Sequence, residues 1–327
     1  MSEDGKAVRG DRLPLDAERE HLIERAARMF YAEDRTQADI ATELGLNRWQ
    51  VSRLLQEGRD LGIVRIEIVP RSDRLPDLEA RLVETFGLRD AVVVNHGGAS
   101  ALEGVARAAG QYLAGLKPRP QRIGVSWGRT MAAVAHWLPE GWGRAAEVVQ
   151  INGTVAPIPQ SGHHNDVAET FARKGGGRFV PLPVPAMVGE ARTREVLERD
   201  RIVADVLDLA RATQLLCFSL GALEDSALLL SGNITTAEQE GLRRAGAVGD
   251  VLGRFIDARG RIADPRLEER TIGLTLADLK TRERAICVVT GADKRDVTCG
   301  ALRVGLCNIL VTDRTMAIHV LEHAHDR

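Results

Sequence analysis

Apolar residues near the start of the chain recur at the spacing of three short helices. The first helix is predicted over residues 17–32, where the apolar positions form one stripe. The second covers residues 37–44, with Thr36 as its N-cap and Gly45 turning the chain after its last residue. The third is predicted from residue 47 to about residue 59, and the alternating pattern over residues 63–69 predicts a strand.

Strand-like and helix-like segments alternate beyond residues 70–76, a polar stretch that we interpret as a linker. Such alternation predicts an α/β fold with a largely parallel sheet, covered by helices on both faces. Ligands of these sheets bind at the carboxyl ends of the strands, where the loops begin. The predicted strands cover residues 91–95, 122–125, 147–151, 214–218, 285–289 and 308–311, and the predicted helices cover residues 101–113, 130–138, 166–174, 293–304 and 315–324.

The second and third predicted helices carry the sequence pattern of a helix-turn-helix. Apolar residues anchor both helices, Ala41 is small where the helices cross, and Gly45 makes the turn between them. The side chains left facing outward are of types that bond base edges or phosphates in a major groove. A plain antiparallel helix pair is the alternative. The predicted DNA-binding residues are Gln37, Asn47, Arg48, Trp49, Gln50, Ser52 and Arg53.

Charge does not by itself indicate a nucleic-acid partner. The net charge is −2, and residues 1–70 hold 11 Lys and Arg against 14 Asp and Glu, so the DNA-binding prediction depends on the motif. Arg48 and Arg53 are expected to make the main contacts to bases or phosphates. Trp49 is expected to pack against its own domain or against a sugar-phosphate of the DNA.

Composition indicates an ordinary globular protein of 327 residues, 44% hydrophobic and 28% charged. Its apolar runs are too short to span a membrane, and its polar N-terminus lacks the pattern of a secretory signal. We therefore expect a cytoplasmic protein with no membrane partner. The four cysteines show no zinc-ligand spacing and are expected to be reduced core thiols, with a redox pair of Cys287 and Cys299 as the alternative.

Seven motifs, taken together and in this order, make the chain similar to the SorC family of sugar-binding transcriptional regulators. They lie at residues 37–55, 123–130, 149–153, 165–186, 246–257, 291–294 and 308–313. The resemblance implies a helix-turn-helix DNA-binding domain over residues 1–70. It also implies a Rossmann-like, parallel-sheet sugar-binding domain over residues 71–327, similar to glucosamine-6-phosphate deaminase and ribose-5-phosphate isomerase. The implied partners are a double-stranded DNA operator, a sugar or sugar-phosphate effector, and further copies of the chain in a dimer or tetramer, with no cofactor.

An anion-binding cradle is predicted where the strand over residues 122–125 meets the next helix. Backbone N–H groups at a helix N-terminus attract negative charge. The side chains of Ser126, Arg129 and Thr130 and the backbone of Gly128 would complete the cradle. An ordinary strand-to-helix turn is the alternative, and the resemblance favours the cradle.

The resemblance places further polar residues at the effector. Lys294 matches a family lysine whose charge would complement a phosphate or a carboxylate. The alternative is a surface lysine at the start of a helix. Amide, imidazole and carboxylate groups that suit sugar hydroxyls stand at the matching positions Asn152, His163, Asn165 and Asp250.

Two departures from the family pattern, at residues 218–221 and 290–291, alter the shape of the expected pocket. They leave open whether the effector is phosphorylated or is a carboxylate, a free sugar or a polyol. No metal is expected, because the adjacent His163 and His164 project in different directions and no third ligand is spaced to join them.

The main functional alternative is an enzyme of the sugar-phosphate isomerase or deaminase type. Its catalysis needs an acid and a base placed across the sugar, and only Asp250 and Lys294 are candidates for these roles. We therefore predict a transcriptional regulator of carbohydrate metabolism genes and not an enzyme.

Overall fold

A computed structural model describes residues 17–33, 35–64, 74–95, 100–155, 166–230 and 232–324. The chain divides into two units, residues 1–71 and 72–327. The strand predicted over residues 63–69 and the linker fall largely outside the described residues. No helix among the described residues is long and apolar enough to cross a membrane.

Three helices pack around one apolar cluster in the N-terminal unit. Ile23, Ile40 and Val51 are fully buried where the helices meet. Thr36 caps the second helix through a reciprocal pair of bonds with Asp39. A left-handed Gly45, with φ of 67°, ends that helix, as the sequence predicted. The helices are α1 (Ala17–Tyr31), α2 (Gln37–Leu44) and α3 (Arg48–Asp60).

A seven-stranded sheet of parallel strands forms the centre of the C-terminal unit, which confirms the predicted α/β class. Its strand order is β1, β10, β9, β5, β2, β3, β4. A smaller antiparallel sheet holds β6, β7 and β8. The strands are β1 (Asp90–Val94), β2 (Arg122–Val125), β3 (Glu147–Gln150), β4 (Phe179–Val180), β5 (Leu215–Phe218), β6 (Leu220–Ala222), β7 (Ala247–Val251), β8 (Arg254–Asp257), β9 (Arg284–Val288) and β10 (Ile309–Asp313).

Helices cover both faces of the large sheet. Along β1, Ala91 and Val93 enter one apolar cluster while Val92 and Val94 enter the other, because successive side chains of a strand point to opposite faces. The helices of this unit are α4 (Pro76–Phe86), α5 (Ala101–Gly115), α6 (Arg129–Trp137), α7 (Val167–Gly175), α8 (Ala191–Arg199), α9 (Arg201–Ala212), α10 (Ala227–Leu230), α11 (Thr236–Arg244), α12 (Pro265–Glu268), α13 (Leu276–Lys280), α14 (Arg295–Arg303) and α15 (Arg314–Glu322).

Each predicted strand of the C-terminal unit is present within two residues of its expected bounds. The four cysteines are buried thiols that form no disulfide, as expected for core thiols. Several elements were not predicted from the sequence. They include the helices α8 and α9 and the hairpin of β7 and β8, which lie between the main strands along the chain.

Candidate functional site

A cavity of about 300 Å³ opens at the carboxyl ends of four neighbouring strands, β9, β5, β2 and β3. Its position agrees with the rule for ligand sites in open α/β sheets. His163 and Asn165 lie outside the described residues. The other predicted effector residues all line the cavity: Ser126, Gly128, Arg129, Thr130, Asn152, Asp250 and Lys294.

The loop between β2 and α6 forms one wall of the cavity. Ser126 is buried directly after β2, and Gly128 turns the chain with φ of 123° just before α6 begins. The first N–H groups of a helix have no partner within the helix. Together with the hydroxyls of Ser126 and Thr130 they offer donors to an anion.

Lys294 enters the cavity from a turn of 3-10 helix, Ala292–Lys294, that follows β9. Its side chain is buried, so the alternative of a surface lysine is excluded. The Nζ atom donates a hydrogen bond to Oγ1 of Thr130 over 3.2 Å, and it forms no ion pair with a carboxylate of the described residues. Burial lowers the pKa of Lys294, which the charges of Asp293 and Asp250 partly oppose.

Asp250 lies on β7 with its carboxylate held from two sides. Oδ2 accepts a bond from the Ser226 hydroxyl over 2.9 Å, and Oδ1 accepts one from the N–H of Gly253 over 3.0 Å. Burial raises the pKa of Asp250, while these two bonds and the Lys294 charge act in the opposite direction. Asp250 is thus a buried, oriented acceptor at the cavity wall.

Gly221 leaves the space that this carboxylate occupies. It pairs with Asp250 across β6 and β7, and a Cβ atom at residue 221 would lie 2.1 Å from Oδ2 of Asp250. We expect Gly221→Ala to displace the carboxylate, to destabilise the fold by about 1–3 kcal/mol, and to weaken effector binding. Thermal unfolding with and without ligand measures both effects.

A matched control for this change is Gly241→Ala on α11. A Cβ there meets no atom within 4 Å, so alanine should be neutral or should stabilise the helix by roughly 0.5–1 kcal/mol. Equal behaviour of the two variants would contradict the role given to Gly221.

Asn152 presents an unsatisfied acceptor. The residue is 2% exposed, and its Oδ1 atom has no hydrogen-bond partner among the described residues. Gly273 packs against it so closely that a Cβ at residue 273 would lie 2.7 Å from Cα of Asn152. A buried polar atom without a partner is costly, so Asn152 is placed to accept a bond from a ligand donor such as a hydroxyl.

The cavity also contains residues that the sequence analysis did not select. Trp127 donates from Nε1 to the carbonyl of Gly153 over 2.6 Å, and Asp225 faces Arg129 at 3.7 Å across exposed positions. Ser219 lines the cavity just after β5. Because Ser219 directly follows a buried strand, its place at the cavity could have been predicted from the sequence. The approach of Asp225 to Arg129 at the start of α6 could not, because nothing in the sequence indicates it.

Among the described residues no group of three or more His, Cys, Asp or Glu side chains could hold a metal ion. Asp257 stabilises the turn after β8, where its Oδ1 accepts from the N–H groups of Arg259 and Arg261.

The candidate nucleic-acid surface is the outer face of α3. Arg48, Ser52 and Arg53 are exposed there. Trp49 is 68% exposed, so most of its side chain does not pack against its own domain, and its contact with a sugar-phosphate of the DNA stays a prediction. Its ring instead lies beneath the guanidinium of Arg53, 5.6 Å from the ring centroid, a distance typical of a cation–π contact.

Two of the predicted DNA contacts have a structural role at the helix start. Asn47 Oδ1 accepts from the Gln50 N–H over 2.9 Å, and Gln50 Oε1 accepts from the Asn47 N–H over 2.8 Å. This reciprocal capping box occupies the side-chain oxygens of both residues. Gln37 is half-buried at the first residue of α2.

A helix-turn-helix joined to an α/β unit with a polar cavity at its strand ends defines an effector-responsive transcriptional regulator. Residues 71–322 match a family model described as "Putative sugar-binding domain". The chain is 31% identical over 306 residues to the deoxyribonucleoside regulator of Bacillus subtilis (strain 168), covering 93% of this chain and 98% of that protein. It is 30% identical over 304 residues to the sorbitol operon regulator of Klebsiella pneumoniae, covering 90% and 96% respectively.

The crystal structure of the full-length sorbitol operon regulator SorC from Klebsiella pneumoniae superposes with a TM-score of 0.69 at 26% identity, covering 93% of this chain and 100% of that chain. The chain belongs to the SorC family of sugar-binding transcriptional regulators. These relatives are regulators, which supports a sugar-responsive regulator over the isomerase or deaminase alternative.

Proposed function

We propose that this chain binds a DNA operator of carbohydrate metabolism genes and that a sugar, polyol or sugar-phosphate effector controls the binding. Residues 1–70 would read the operator and residues 71–327 would bind the effector. The protein would act in the cytoplasm, where the DNA is, as a homodimer or homotetramer. Its relatives named for sorbitol and deoxyribonucleoside regulation support a carbohydrate-derived effector.

The observation that carries the effector proposal is the buried Lys294 without an ion-pair partner among the described residues. A buried cation is costly when nearby charges, here those of Asp293 and Asp250, offset its burial only in part, and an anionic ligand group would reduce that cost. Ser126, Thr130 and the start of α6 surround the same volume with donors. This wall therefore suits a phosphate or a carboxylate.

Two other groups that line the cavity suit the hydroxyl end of such a ligand. Asn152 Oδ1 can accept one bond, and the oriented carboxylate of Asp250 can accept another. A cavity of about 300 Å³ matches a small metabolite in size. A sugar phosphate would bond to both sets of groups at once, whereas a free sugar or polyol would leave Lys294 without an anionic ligand group.

Binding of the full chain to labelled DNA from the flanks of its own gene tests the proposal. Fluorescence anisotropy should show one preferred fragment at moderate salt, and one member of a panel of sugars, polyols and their phosphates should shift its affinity about 5- to 150-fold. A turnover assay on the same panel is the control for the enzyme alternative. No preference for any fragment, with or without the panel, would contradict the proposal.

A further inference from the structure

Arg254 is a fully buried arginine that neighbours the effector cavity without lining it. It is the first residue of β8, it is 1% exposed, and it directly follows Gly253, which does line the cavity. Burial lowers the pKa of Arg254, and the charge of Glu268 partly opposes this effect. An arginine nevertheless keeps its charge in a protein. A buried charge of this kind is costly unless it is paired and hydrogen-bonded.

The guanidinium of Arg254 joins β8 to a loop beside the cavity. Its Nη2 donates to the carbonyl of Gly273 over 3.2 Å, and its Nε donates to Oε1 of Glu268 over 3.1 Å. Glu268 is the last residue of α12, and Gly273 lies in the loop of residues 269–275 that follows this helix. Arginine suits this arrangement because its planar group presents several donors in a fixed fork.

The loop of residues 269–275 holds Asn152 in place. Gly273 forms an isolated antiparallel bridge with Asn152. Two backbone hydrogen bonds, of 2.8 and 3.1 Å, join the residues on either side of Asn152 to the residues on either side of Gly273. The position of Asn152 at the cavity therefore depends on a loop to which Arg254 bonds.

The same arginine adjoins the turn that holds Asp250. Leu252 and Gly253 form a two-residue turn between β7 and β8, with φ of 54° and 85°, and tight hairpins of this kind need positive φ at both residues. The Gly253 N–H donates to Oδ1 of Asp250 over 3.0 Å. Because the Arg254 side chain bonds to Gly273, it fixes the end of this turn against the loop that holds Asn152.

Stability alone does not account for this arginine. Nη1 of Arg254 and Oε2 of Glu268 are buried and have no hydrogen-bond partner among the described residues. Replacing a buried ion pair with apolar side chains of similar volume is often neutral or stabilising. What the pair supplies is a fixed geometry, which binding sites need from the residues that support them.

We propose that Arg254 is a positioning residue of the effector site, which holds Asp250 and Asn152 where both can accept bonds from the hydroxyl groups of a ligand. The inference rests on the proposed function and adds a residue outside the cavity to the recognition of hydroxyl groups. Arg254 forms no hydrogen bond with Lys294 or Thr130. Removal of its donors should therefore affect the hydroxyl end of a ligand more than its anionic end.

The affinities of the full chain for inorganic phosphate and for three phosphate esters test this role. The esters are glycerol 3-phosphate, ribose 5-phosphate and glucose 6-phosphate, and thermal-shift titrations give the affinity for each probe. Arg254→Met removes every donor at a similar side-chain length. It should weaken binding of the tightest ester about tenfold and that of inorganic phosphate less than about threefold. Arg254→Lys, which keeps the charge, should lower the ratio of ester affinity to phosphate affinity by about two- to fivefold.

The matched control is Arg282, a second buried arginine paired with a carboxylate. It donates from Nε to the carbonyl of Asp278 over 2.7 Å and forms an ion pair with the Asp278 carboxylate at 3.4 Å. It lies just before β9, at the end of the sheet opposite to the effector cavity. Arg282→Met should destabilise the fold and leave the ratio of ester affinity to phosphate affinity unchanged.

The ratio of the two affinities decides the proposal. An unchanged ratio in both Arg254 variants would overturn it, and so would equal losses of ester and phosphate affinity, because these would indicate general damage to the cavity. If Arg254→Met does not fold, an unchanged ratio in Arg254→Lys alone would overturn it. An unaltered chain that binds no ester more tightly than inorganic phosphate would contradict the proposed effector site, and this inference would fall with it.

Discussion

Lys294→Ala is expected to abolish the effect of the effector on operator binding while DNA binding itself is retained. The variant removes the buried cation of the cavity and the bond from Nζ to Thr130. A hydrogen bond to a charged group contributes about 1.5–3 kcal/mol, so effector affinity should fall roughly ten- to a hundredfold. Calorimetry of the full chain measures this affinity, and anisotropy measures operator binding.

The matched control is Lys280→Ala, which removes an exposed lysine from the last residue of α13. It should leave the effector response unchanged. Normal effector affinity in Lys294→Ala would remove Lys294 from the site. Loss of operator binding without effector would indicate a damaged fold and not a lost ligand contact.

The lowered pKa of Lys294 adds a second expectation, for the unliganded protein. Since the folded pKa lies below the unfolded value, the unfolded chain binds the proton more tightly, and protonation of Lys294 opposes folding. This cost is absent above the unfolded pKa and grows as the pH falls toward the folded pKa. Lys294→Met should therefore raise the Tm at neutral pH by a few degrees, about 2–4 °C per kcal/mol, and lower effector affinity. A lower Tm would contradict this account.

Arg53→Ala is expected to weaken specific operator binding roughly ten- to a hundredfold, because a bidentate base contact contributes about 1–3 kcal/mol. Arg48→Ala should have a similar effect. The guanidinium of Arg53 rests on the exposed ring of Trp49, which limits its positions before DNA arrives. Trp49→Ala should therefore cost less, a few-fold in affinity, in line with about 0.5–1 kcal/mol for an exposed cation–π contact.

The same helix offers the control for these changes. Arg59 lies in the last turn of α3 and donates to Gln56 over 2.7 Å, away from the start of the helix. Arg59→Ala should change operator affinity little. Anisotropy titrations at two salt concentrations distinguish a base contact from a phosphate contact, because only the loss of a phosphate contact reduces the salt dependence of binding. Unchanged operator affinity in both Arg48→Ala and Arg53→Ala would rule out α3 as the recognition helix.

The sequence alone determined the elements that have local causes. Thr36 and Gly45 bound α2 because an N-cap oxygen and a left-handed glycine act within a few residues of the helix end. The buried strands were visible as apolar runs. The resemblance predicted that Lys294 and Asp250 lie at the effector, but it did not predict their positions or their hydrogen-bond partners. Helix α8 was not predicted; it has only two large apolar side chains, Val196 and Leu197, and none of its residues is fully buried.

The tertiary structure alone decided the properties that depend on distant parts of the chain. Lys294 meets Thr130 across 164 residues of sequence, and its burial is what makes it a candidate for an anion. The unsatisfied Asn152 Oδ1 and the close approach of Gly221 to Asp250 depend on strand register and loop packing. The exposure of Trp49 could not be predicted from the sequence for the same reason: whether an aromatic side chain on a helix is buried depends on which neighbours the fold places against it.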